Sequence, residues 1–206
     1  LPGTTGNAPA VTFPTIGAND DFVLEMDVYL VDVSSLHLVS GSSLEERIII
    51  YNSGSSFQCN VGNTIYSSAI TLLTEGVSTI TVERTSGTVT LKQNGVTKGT
   101  INNVLGSATF SHLSFNGQYT TGVLPLNGYI KKATLSIEGT PVLDVDFDRA
   151  PANATSFAAK TGQTVTINQS TITGDRAKIV KSSEIFYDGA GDEFDFTLSS
   201  TFTGKM

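Results

Sequence analysis

Two carboxylates at alternate positions of one stretch are the clearest candidate for catalytic chemistry in this sequence. Glu25 and Asp27 fall on the polar side of an apolar-polar alternation, so a β-strand would project both from one face. Retaining glycoside hydrolysis uses a nucleophile and a separate acid/base whose carboxyl groups lie about 5 Å apart. The next alternate position is Tyr29, which supplies neither group. We therefore predict a solvent-facing strand side without catalytic residues, with hydrolase activity as the less favoured alternative.

Three further carboxylates, Asp144, Asp146 and Asp148, alternate with apolar residues and would share one strand face. Such a row could bind a cation. Calcium takes roughly six to eight oxygen ligands, usually from a folded loop, and Arg149 stands where an EF-hand loop would need glycine. A second acidic segment, residues 188 to 195, has the composition of a tight glycine-rich turn. We predict solvated carboxylates and no metal site, with calcium as the alternative at both places.

Residues 115 to 122, with the sequence FNGQYTTG, form the best candidate for a recognition loop. Asn116 and Gln118 offer amide donors and acceptors beside the aromatic ring of Tyr119. A few polar groups next to an aromatic ring, on a loop at a strand end, can contact a saccharide. The same residue types are also the ordinary constituents of turns. Carbohydrate binding through these three residues is therefore a hypothesis that competes with a plain turn.

Cysteine and histidine usage argues against redox and metal chemistry. Cys59 is the only cysteine, which excludes an intrachain disulfide and favours a structural thiol in a strand. His37 and His112 each lie in a strand-like pattern without other ligand-type residues beside them. Neither histidine has a local motif that would complete a nucleophile-base-acid triad. We predict no cofactor.

Composition narrows the class of partner. The net charge of −7 and a pI near 4.7 argue against nucleic acid, because phosphate contacts need clustered Lys and Arg. No apolar run approaches the ~20 residues of a membrane-spanning helix, so no membrane partner is predicted. A surface rich in Ser, Thr, Gly and Asn with only 15% charged residues is typical of extracellular and virion β proteins. Because the chain begins with Leu1, we expect a processed product or a piece of a longer protein.

The elements that position these residues are predicted to be β-strands. The segment from Phe22 to Val31 alternates apolar and polar residues with period two, and no stretch keeps a helical spacing beyond a turn or two. Further strands are predicted at Leu36 to Val39, Arg47 to Tyr51, Ser56 to Val61, Thr79 to Arg84, Thr88 to Gln93, Ala108 to Phe115, Gly128 to Glu138 and Val142 to Phe147. The fold class is therefore all-β, an antiparallel β-sandwich.

Turn residues separate these strands. Asn94-Gly95 accepts the positive φ values of a type I′ turn and predicts a hairpin, and Ser86-Gly87 closes the turn before it. Residues 70 to 76 are expected to form a single helical turn. Three prolines and three glycines within residues 1 to 20 predict an extended N-terminal arm, which lies on its own domain or reaches a neighbour.

The sequence changes in character after Phe147. A hairpin is predicted with Thr161-Gly162 at its tip, followed by strands at residues 178 to 187 and 193 to 198. The predicted organisation is an arm over residues 1 to 20, a sandwich over 21 to 147 and a C-terminal β segment over 148 to 206. That last segment either completes the sandwich or forms a small extension.

Three stretches, DFVLEMDVYL, ITVERTSGTVTLKQNGV and LSFNGQYTTGVLPLNGYIKKATLSI, resemble the concanavalin A-like jelly roll, particularly laminin-G-like domains. The resemblance covers roughly residues 21 to 147 and implies that the GYI-containing strand returns to the sheet beside the first one. Endoglucanases of this fold carry a catalytic strand of the form Glu-x-Asp-x-Glu. Tyr29 departs from that pattern at the third position, which puts hydrolysis in doubt.

A second likeness is narrower. The segment GTPVLDVDFDRAPANATSFAAKTGQTVTINQSTITGDRAKIV is similar to a segment found after jelly-roll domains in tailed-bacteriophage virion proteins. This resemblance implies a structural or host-contacting part of a virus particle.

Together these observations predict a non-enzymatic bacteriophage virion structural protein, a capsid decoration or cement protein or a component of a fibre or tail appendage. It would lie on the particle surface and act through subunit contacts with other virion proteins as a homo-oligomer. The residues predicted to face partners are Phe13, Ile16, Phe194, Phe196 and Phe202. The alternative is a glycan-binding host-adhesion domain that uses residues 115 to 122, and a glycoside hydrolase or lyase of the same fold is less favoured.

Overall fold

The computed structural model describes residues 9–34, 36–41, 46–113, 127–151 and 154–167. These residues form fourteen strands and no α-helix. The strands are β1 (Pro9–Val11), β2 (Phe22–Asp32), β3 (Leu36–Gly41), β4 (Arg47–Tyr51), β5 (Ser56–Val61), β6 (Thr64–Ala69), β7 (Gly76–Thr85), β8 (Thr88–Gln93), β9 (Val96–Ile101), β10 (Phe110–Leu113), β11 (Asn127–Ile137), β12 (Thr140–Asp146), β13 (Ser156–Ala158) and β14 (Thr164–Ile167). In this part of the chain, no helix is long and apolar enough to cross a membrane.

The strands form two antiparallel sheets, which confirms the predicted β-sandwich. One sheet has eight strands in the order β13-β14-β1-β10-β3-β4-β5-β6, and the other has six in the order β12-β11-β2-β7-β8-β9. Strand β11 pairs with β2 along its whole length, as expected for the GYI-containing strand. The hairpin of β8 and β9 lies at the edge of the six-stranded sheet.

Alternation along the strands builds the core between the two sheets. In β2 the even-numbered residues from Phe22 to Leu30 are buried, while Val23, Glu25 and Tyr29 are exposed. The apolar faces of the two sheets pack together, because burying apolar surface is worth about 25 cal/mol per Å². Strand β4 differs, since three consecutive isoleucines, Ile48 to Ile50, are all buried.

Two-residue turns join four pairs of neighbouring strands. Asn94 and Gly95 both have positive φ, 51° and 77°, as a type I′ turn requires, which confirms the predicted hairpin. Ser86-Gly87 closes the β7-β8 hairpin in the same way. Asn94 also accepts a hydrogen bond at Oδ1 from the backbone N–H of Thr79 (2.8 Å). The turn thus fixes the register of β7 and β8.

Residues 9 to 20 belong to the sandwich, which corrects the prediction of partner contacts there. Strand β1 lies between β10 and β14 in the eight-stranded sheet. Phe13 is only 1% exposed and packs edge-on against Phe110, with ring centroids 5.9 Å apart. Ile16, also 1% exposed, bridges to Ala108. The prediction that Phe13 and Ile16 face a partner is therefore wrong, because the core of the same chain buries both side chains.

The predicted helical turn at residues 70 to 76 is also wrong. Residues 70 to 75 have no regular secondary structure and cross from one sheet to the other, and their backbone pairs with two side-chain amides. Asn52 Oδ1 accepts from the N–H of Leu73 (2.7 Å) and its Nδ2 donates to the carbonyl of Leu73 (3.3 Å). Gln93 makes the equivalent pair of bonds to Thr74, at 3.0 and 2.7 Å. These amides replace the hydrogen bonds that a helical turn would have made internally.

The C-terminal β segment joins the sandwich as far as it is described. Strands β13 and β14 form the predicted hairpin and extend the eight-stranded sheet beyond β1. The turn between them also reaches the edge strand of the other sheet, where Lys160 N–H donates to the carbonyl of Asp144 (2.8 Å). Phe147, predicted to end a strand, begins a short 3₁₀ turn over Phe147–Arg149 instead. The strands predicted at 178 to 187 and 193 to 198 lie outside the described residues.

Candidate functional site

The candidate site lies on the solvent-facing side of the six-stranded sheet, which we call the outer face. Glu25, Asp27 and Tyr29 all project onto it from β2, as their alternation predicts. Strands β7 and β11 flank β2 on its two sides, so their outward residues complete each cross-strand row. The outer face is therefore where the residues singled out in the sequence meet residues from distant parts of the chain.

Two tyrosines from different strands form a pair at one end of this face. Tyr29 of β2 and Tyr129 of β11 are direct cross-strand partners, with ring centroids 6.0 Å apart and an interplanar angle of 52°. Their exposed fractions are 46% and 57%. Val77 of β7 opposes Tyr29 on the other side and is 82% exposed, and Val31 is exposed two residues further along β2. Because solvent-facing sides of antiparallel sheets usually carry polar residues, two paired exposed rings with exposed apolar neighbours are unusual on this face.

A β-bulge in β11 is the reason that Tyr129 reaches the outer face. Ala133 and Leu135 have the same parity as Tyr129 and are buried, so strict alternation would point Tyr129 into the core. The register shifts between Ile130 and Lys132, and that one-residue shift reverses the facing of Tyr129. Bulges commonly re-aim side chains in this way near functional sites.

The next row across the sheet is polar and charged. Asp27 Oδ1 accepts a hydrogen bond from Thr79 Oγ1 (2.8 Å) on β7. On its other side Asp27 lies in register with Lys132 of β11, and Lys132 is in turn opposite Asp146 of β12. A carboxylate held by a neighbouring hydroxyl, one row from two exposed rings, can accept hydrogen bonds from a bound molecule.

The residues opposite Glu25 do not complete a hydrolase pair. Its register partners are Thr81 on β7 and Thr134 on β11, so no carboxylate lies directly across either strand from it. A threonine hydroxyl is too weak an acid to replace the carboxylic acid that protonates a leaving group.

The row of aspartates predicted on β12 is engaged by a lysine. Asp144 and Asp146 share one face as expected, and Lys160 Nζ lies 3.7 Å from the first and 3.0 Å from the second. Asp148 lies in the 3₁₀ turn instead and pairs with Lys131 at 3.6 Å. Within the described ranges, no group of three His, Cys, Asp or Glu residues is arranged to hold a metal ion. An ammonium group therefore offsets the negative charge of Asp144 and Asp146.

The charge pairing appears in the pKa values of this cluster. Partial burial alone would raise the pKa of Asp146, but the hydrogen bond and the positive charge of Lys160 lower it overall. The same hydrogen bond raises the pKa of Lys160. The acidic segment at 188 to 195, the second calcium alternative, lies outside the described residues.

Other titratable groups are buried away from the outer face. Burial, with a smaller contribution from the positive charge of Arg47, lowers the pKa of His37 to about 3. Burial raises the pKa of Cys59 to about 12. Burial also lowers the pKa of His112, whose Nδ1 lies 2.8 Å from the hydroxyl of Ser111. His37 and Cys59 are too buried to contact a ligand, and His112 is half-buried on β10 of the other sheet.

The structure tests few of the other predicted site residues. Asn116, Gln118 and Tyr119, proposed for carbohydrate contact, lie outside the described residues. So do Phe194, Phe196 and Phe202, proposed for partner contact. The Tyr29-Tyr129 pair is not among the site residues predicted from the sequence. The resemblance placed the two strands side by side, and that pairing was the available signal for it.

Comparison with known proteins supports the fold class. No protein-family profile and no curated protein sequence matches the chain. Among solved structures, the chain is similar to a "putative carbohydrate binding protein" from Bacteroides ovatus, with a TM-score of 0.53 and 12% sequence identity. The match covers 78% of this chain but only 58% of the Bacteroides protein. At this identity the likeness establishes a shared β-sandwich fold.

Proposed function

We propose that this protein is a non-catalytic carbohydrate-binding module that binds glycans on the outer face through Tyr29 and Tyr129. The observation that carries the proposal is the exposed tyrosine pair, at 6.0 Å between ring centroids. The fold likeness to a protein described as carbohydrate-binding adds support of a weaker kind, because fold alone does not fix function.

Tyrosine pairs suit sugars for a physical reason. The faces of aromatic rings carry partial negative charge and attract the C–H groups on the apolar side of a sugar ring. Tyr presents this large surface with few rotatable bonds, so ordering it on binding costs little entropy. The carboxylate of Asp27 in the next row supplies a hydrogen-bond acceptor for hydroxyl groups. Apolar stacking beside a few fixed polar groups is the usual composition of a small-ligand site.

The proposal excludes hydrolysis as the main activity. Tyr29 occupies the strand position where a third carboxylate would be needed, and the register partners of Glu25 are threonines. We expect no reducing sugar to be released from a broad polysaccharide panel, and we expect Glu25→Gln to behave as wild type in that assay. Release that disappears in Glu25→Gln would establish an enzyme instead.

The binding test uses the intrinsic fluorescence of the protein. The chain has 6 tyrosines and no tryptophan, so sugar stacking on the pair should change tyrosine emission directly. We expect wild type to bind at least one glycan of a broad array, and Tyr29→Ala and Tyr129→Ala each to weaken that binding about tenfold or more. Calorimetric titration should give the same order of affinities.

The matched control is Ile65→Ala, which removes an exposed apolar side chain from β6 in the other sheet. This variant should bind as wild type does, and circular dichroism should show that all three variants are folded. Equal affinity in wild type and in the Tyr29→Ala, Tyr129→Ala double variant would refute binding at the pair. Absence of any glycan ligand would refute the function.

We further propose that the module is part of a bacteriophage particle, as a surface decoration or as a fibre or tail-appendage component in contact with copies of itself. This placement rests on the sequence resemblance of residues 139 to 180 to virion segments, and it is compatible with a host-glycan role. Mass spectrometry of purified virions should detect the chain at a fixed copy number. Particles that lack it would rule the placement out.

A further inference from the structure

We infer that the glycan is a soluble, uncharged chain that extends from the tyrosine pair onto Asp27, and that Asp27 determines its specificity. This inference rests on the proposed function and adds the class of ligand. Four features of the outer face carry it: the spacing of its rows, the unused acceptor capacity of Asp27, the distribution of charge and the tilt of the two tyrosine rings.

Row spacing sets the direction of the ligand. Residues two apart on a strand lie about 6.6–6.8 Å from each other along its axis, comparable with the length of one pyranose unit. A sugar ring stacked on Tyr29 and Tyr129 would therefore place its neighbour over the row that contains Asp27 and Thr79. Val77 lies beside the tyrosine pair and Val31 lies beyond it on β2, and neither side chain can form a hydrogen bond with a sugar. The ligand is therefore expected to extend in the opposite direction, toward Asp27.

Asp27 is positioned to accept further hydrogen bonds. Thr79 donates its hydroxyl to Oδ1 of Asp27, and the N–H of Thr79 is itself held by Asn94 at the β8-β9 turn. Within the described part of the chain, Asp27 Oδ2 has no hydrogen-bond donor. A carboxylate with two oxygens can accept from two adjacent hydroxyls of one sugar ring, and such charge-assisted bonds are the stronger kind.

Charge on this face disfavours an acidic sugar. Three of the lysines near it are engaged by carboxylates: Lys92 by Glu83, Lys131 by Asp148, and Lys160 by Asp144 and Asp146. Glu25 and Asp27 belong to no ion pair of 4 Å or less in the described residues. The lysines in their rows are Lys132, opposite Asp27, and Lys92, which lies beyond Thr81 in the row of Glu25 and is paired with Glu83. A uronate or sulfate placed over Asp27 would meet a like charge, whereas a neutral hydroxyl would donate to it.

The tilt of the rings argues for a single chain rather than a crystalline surface. Two rings inclined at 52° do not form a coplanar strip, so a flat array of parallel chains could contact only one of them fully. A soluble chain can rotate about its glycosidic bonds and follow both rings. Microcrystalline cellulose is therefore expected to retain no protein under conditions where soluble ligands bind.

The test compares neutral hexasaccharides of glucose, mannose and galactose with an oligogalacturonate hexasaccharide, by calorimetric titration. We expect wild type to bind a neutral probe and to discriminate against the acidic one. Asp27→Ala should weaken neutral binding about tenfold, the loss typical of a hydrogen bond to a charged group. Asp27→Asn keeps the shape of the side chain and removes its charge. The ratio of the affinity for the neutral probe to the affinity for oligogalacturonate should therefore fall about fivefold or more.

Glu75→Gln is the matched control, because it makes the same change of net charge at an exposed residue that precedes β7. It should leave both affinities unchanged. Suppose that wild type binds neutral sugar through the tyrosine pair and that Asp27→Asn discriminates against the acidic probe as strongly as wild type does. That result would overturn this inference and leave the proposed function intact. Preference for the acidic probe or for microcrystalline cellulose would also overturn it. A wild-type protein that binds no probe and no other glycan would overturn both.

Discussion

Replacing the buried Arg84 of β7 with methionine is expected to lower the free energy of unfolding of the sandwich substantially. Arg84 has the parity of the buried residues Ile80 and Val82 and is only 1% exposed. Its guanidinium donates to three backbone carbonyls: Nε to Asp20 (2.7 Å), Nη1 to Gly106 (3.0 Å) and Nη2 to Gly17 (2.5 Å). It also lies 5.2 Å from the centre of the Phe22 ring. One side chain thus fastens two loops to the end of the core.

The magnitude follows from these bonds. Hydrogen bonds to a charged group contribute about 1.5–3 kcal/mol each, and the three together are opposed by the cost of burying the charge. Burial accordingly lowers the pKa of Arg84. Methionine removes the charge and the bonds together, which leaves a net loss of about 3–5 kcal/mol. For a domain of this size that corresponds to a fall in Tm of roughly 6–20 °C.

Urea unfolding followed by circular dichroism measures the loss, and hydrogen exchange shows where it occurs. Amides of residues 17 to 21 and 104 to 108 should lose protection first. Arg84→Lys keeps the charge but not the planar fork, and should still lose about 2 kcal/mol or more. Lys92→Met, which removes a half-buried cation paired with Glu83 on the outer face, should change stability by less than about 1 kcal/mol. Equal free energies of unfolding for Arg84→Met and Lys92→Met would refute the claim that the three hydrogen bonds of Arg84 stabilise the sandwich.

Two further predictions concern buried titratable groups. The pKa of His37 is about 3 in the folded protein against 6.5 when exposed, so below pH 6.5 the unfolded chain binds a proton that the folded chain does not. The free energy of unfolding should therefore fall as pH drops from about 6.5 to 3, and this group should account for roughly 2 kcal/mol of the loss at pH 5. In urea titrations at several pH values, His37→Phe should make the free energy of unfolding depend less on pH. The same pH dependence in wild type and variant would contradict the burial of His37. The pKa of Cys59 is raised to about 12, so a thiol reagent at pH 8 should modify the protein only after guanidinium unfolding. Rapid modification of the native protein would show that β5 opens.

The fold class and most strands could be predicted from the sequence, because period-two alternation is a local property of the chain. The incorrect or missing predictions have physical causes as well. Strand β6, TIYSSA, lies at a sheet edge where most side chains are exposed, so it carries little alternation. Residues 70 to 75 form no helical turn, because Asn52 and Gln93, which are distant in sequence, supply the hydrogen bonds to the backbone of Leu73 and Thr74.

The sequence by itself determined that Glu25, Asp27 and Tyr29 would share one solvated strand face, since neighbouring side chains on a strand must alternate. Only the tertiary structure decided what stands beside them. The bulge before Lys132 turns Tyr129 outward against the parity of Ala133 and Leu135, and the pairing of β11 with β2 then brings its ring to Tyr29. Both steps depend on register between strands far apart in the chain, a property that no local pattern of residues encodes.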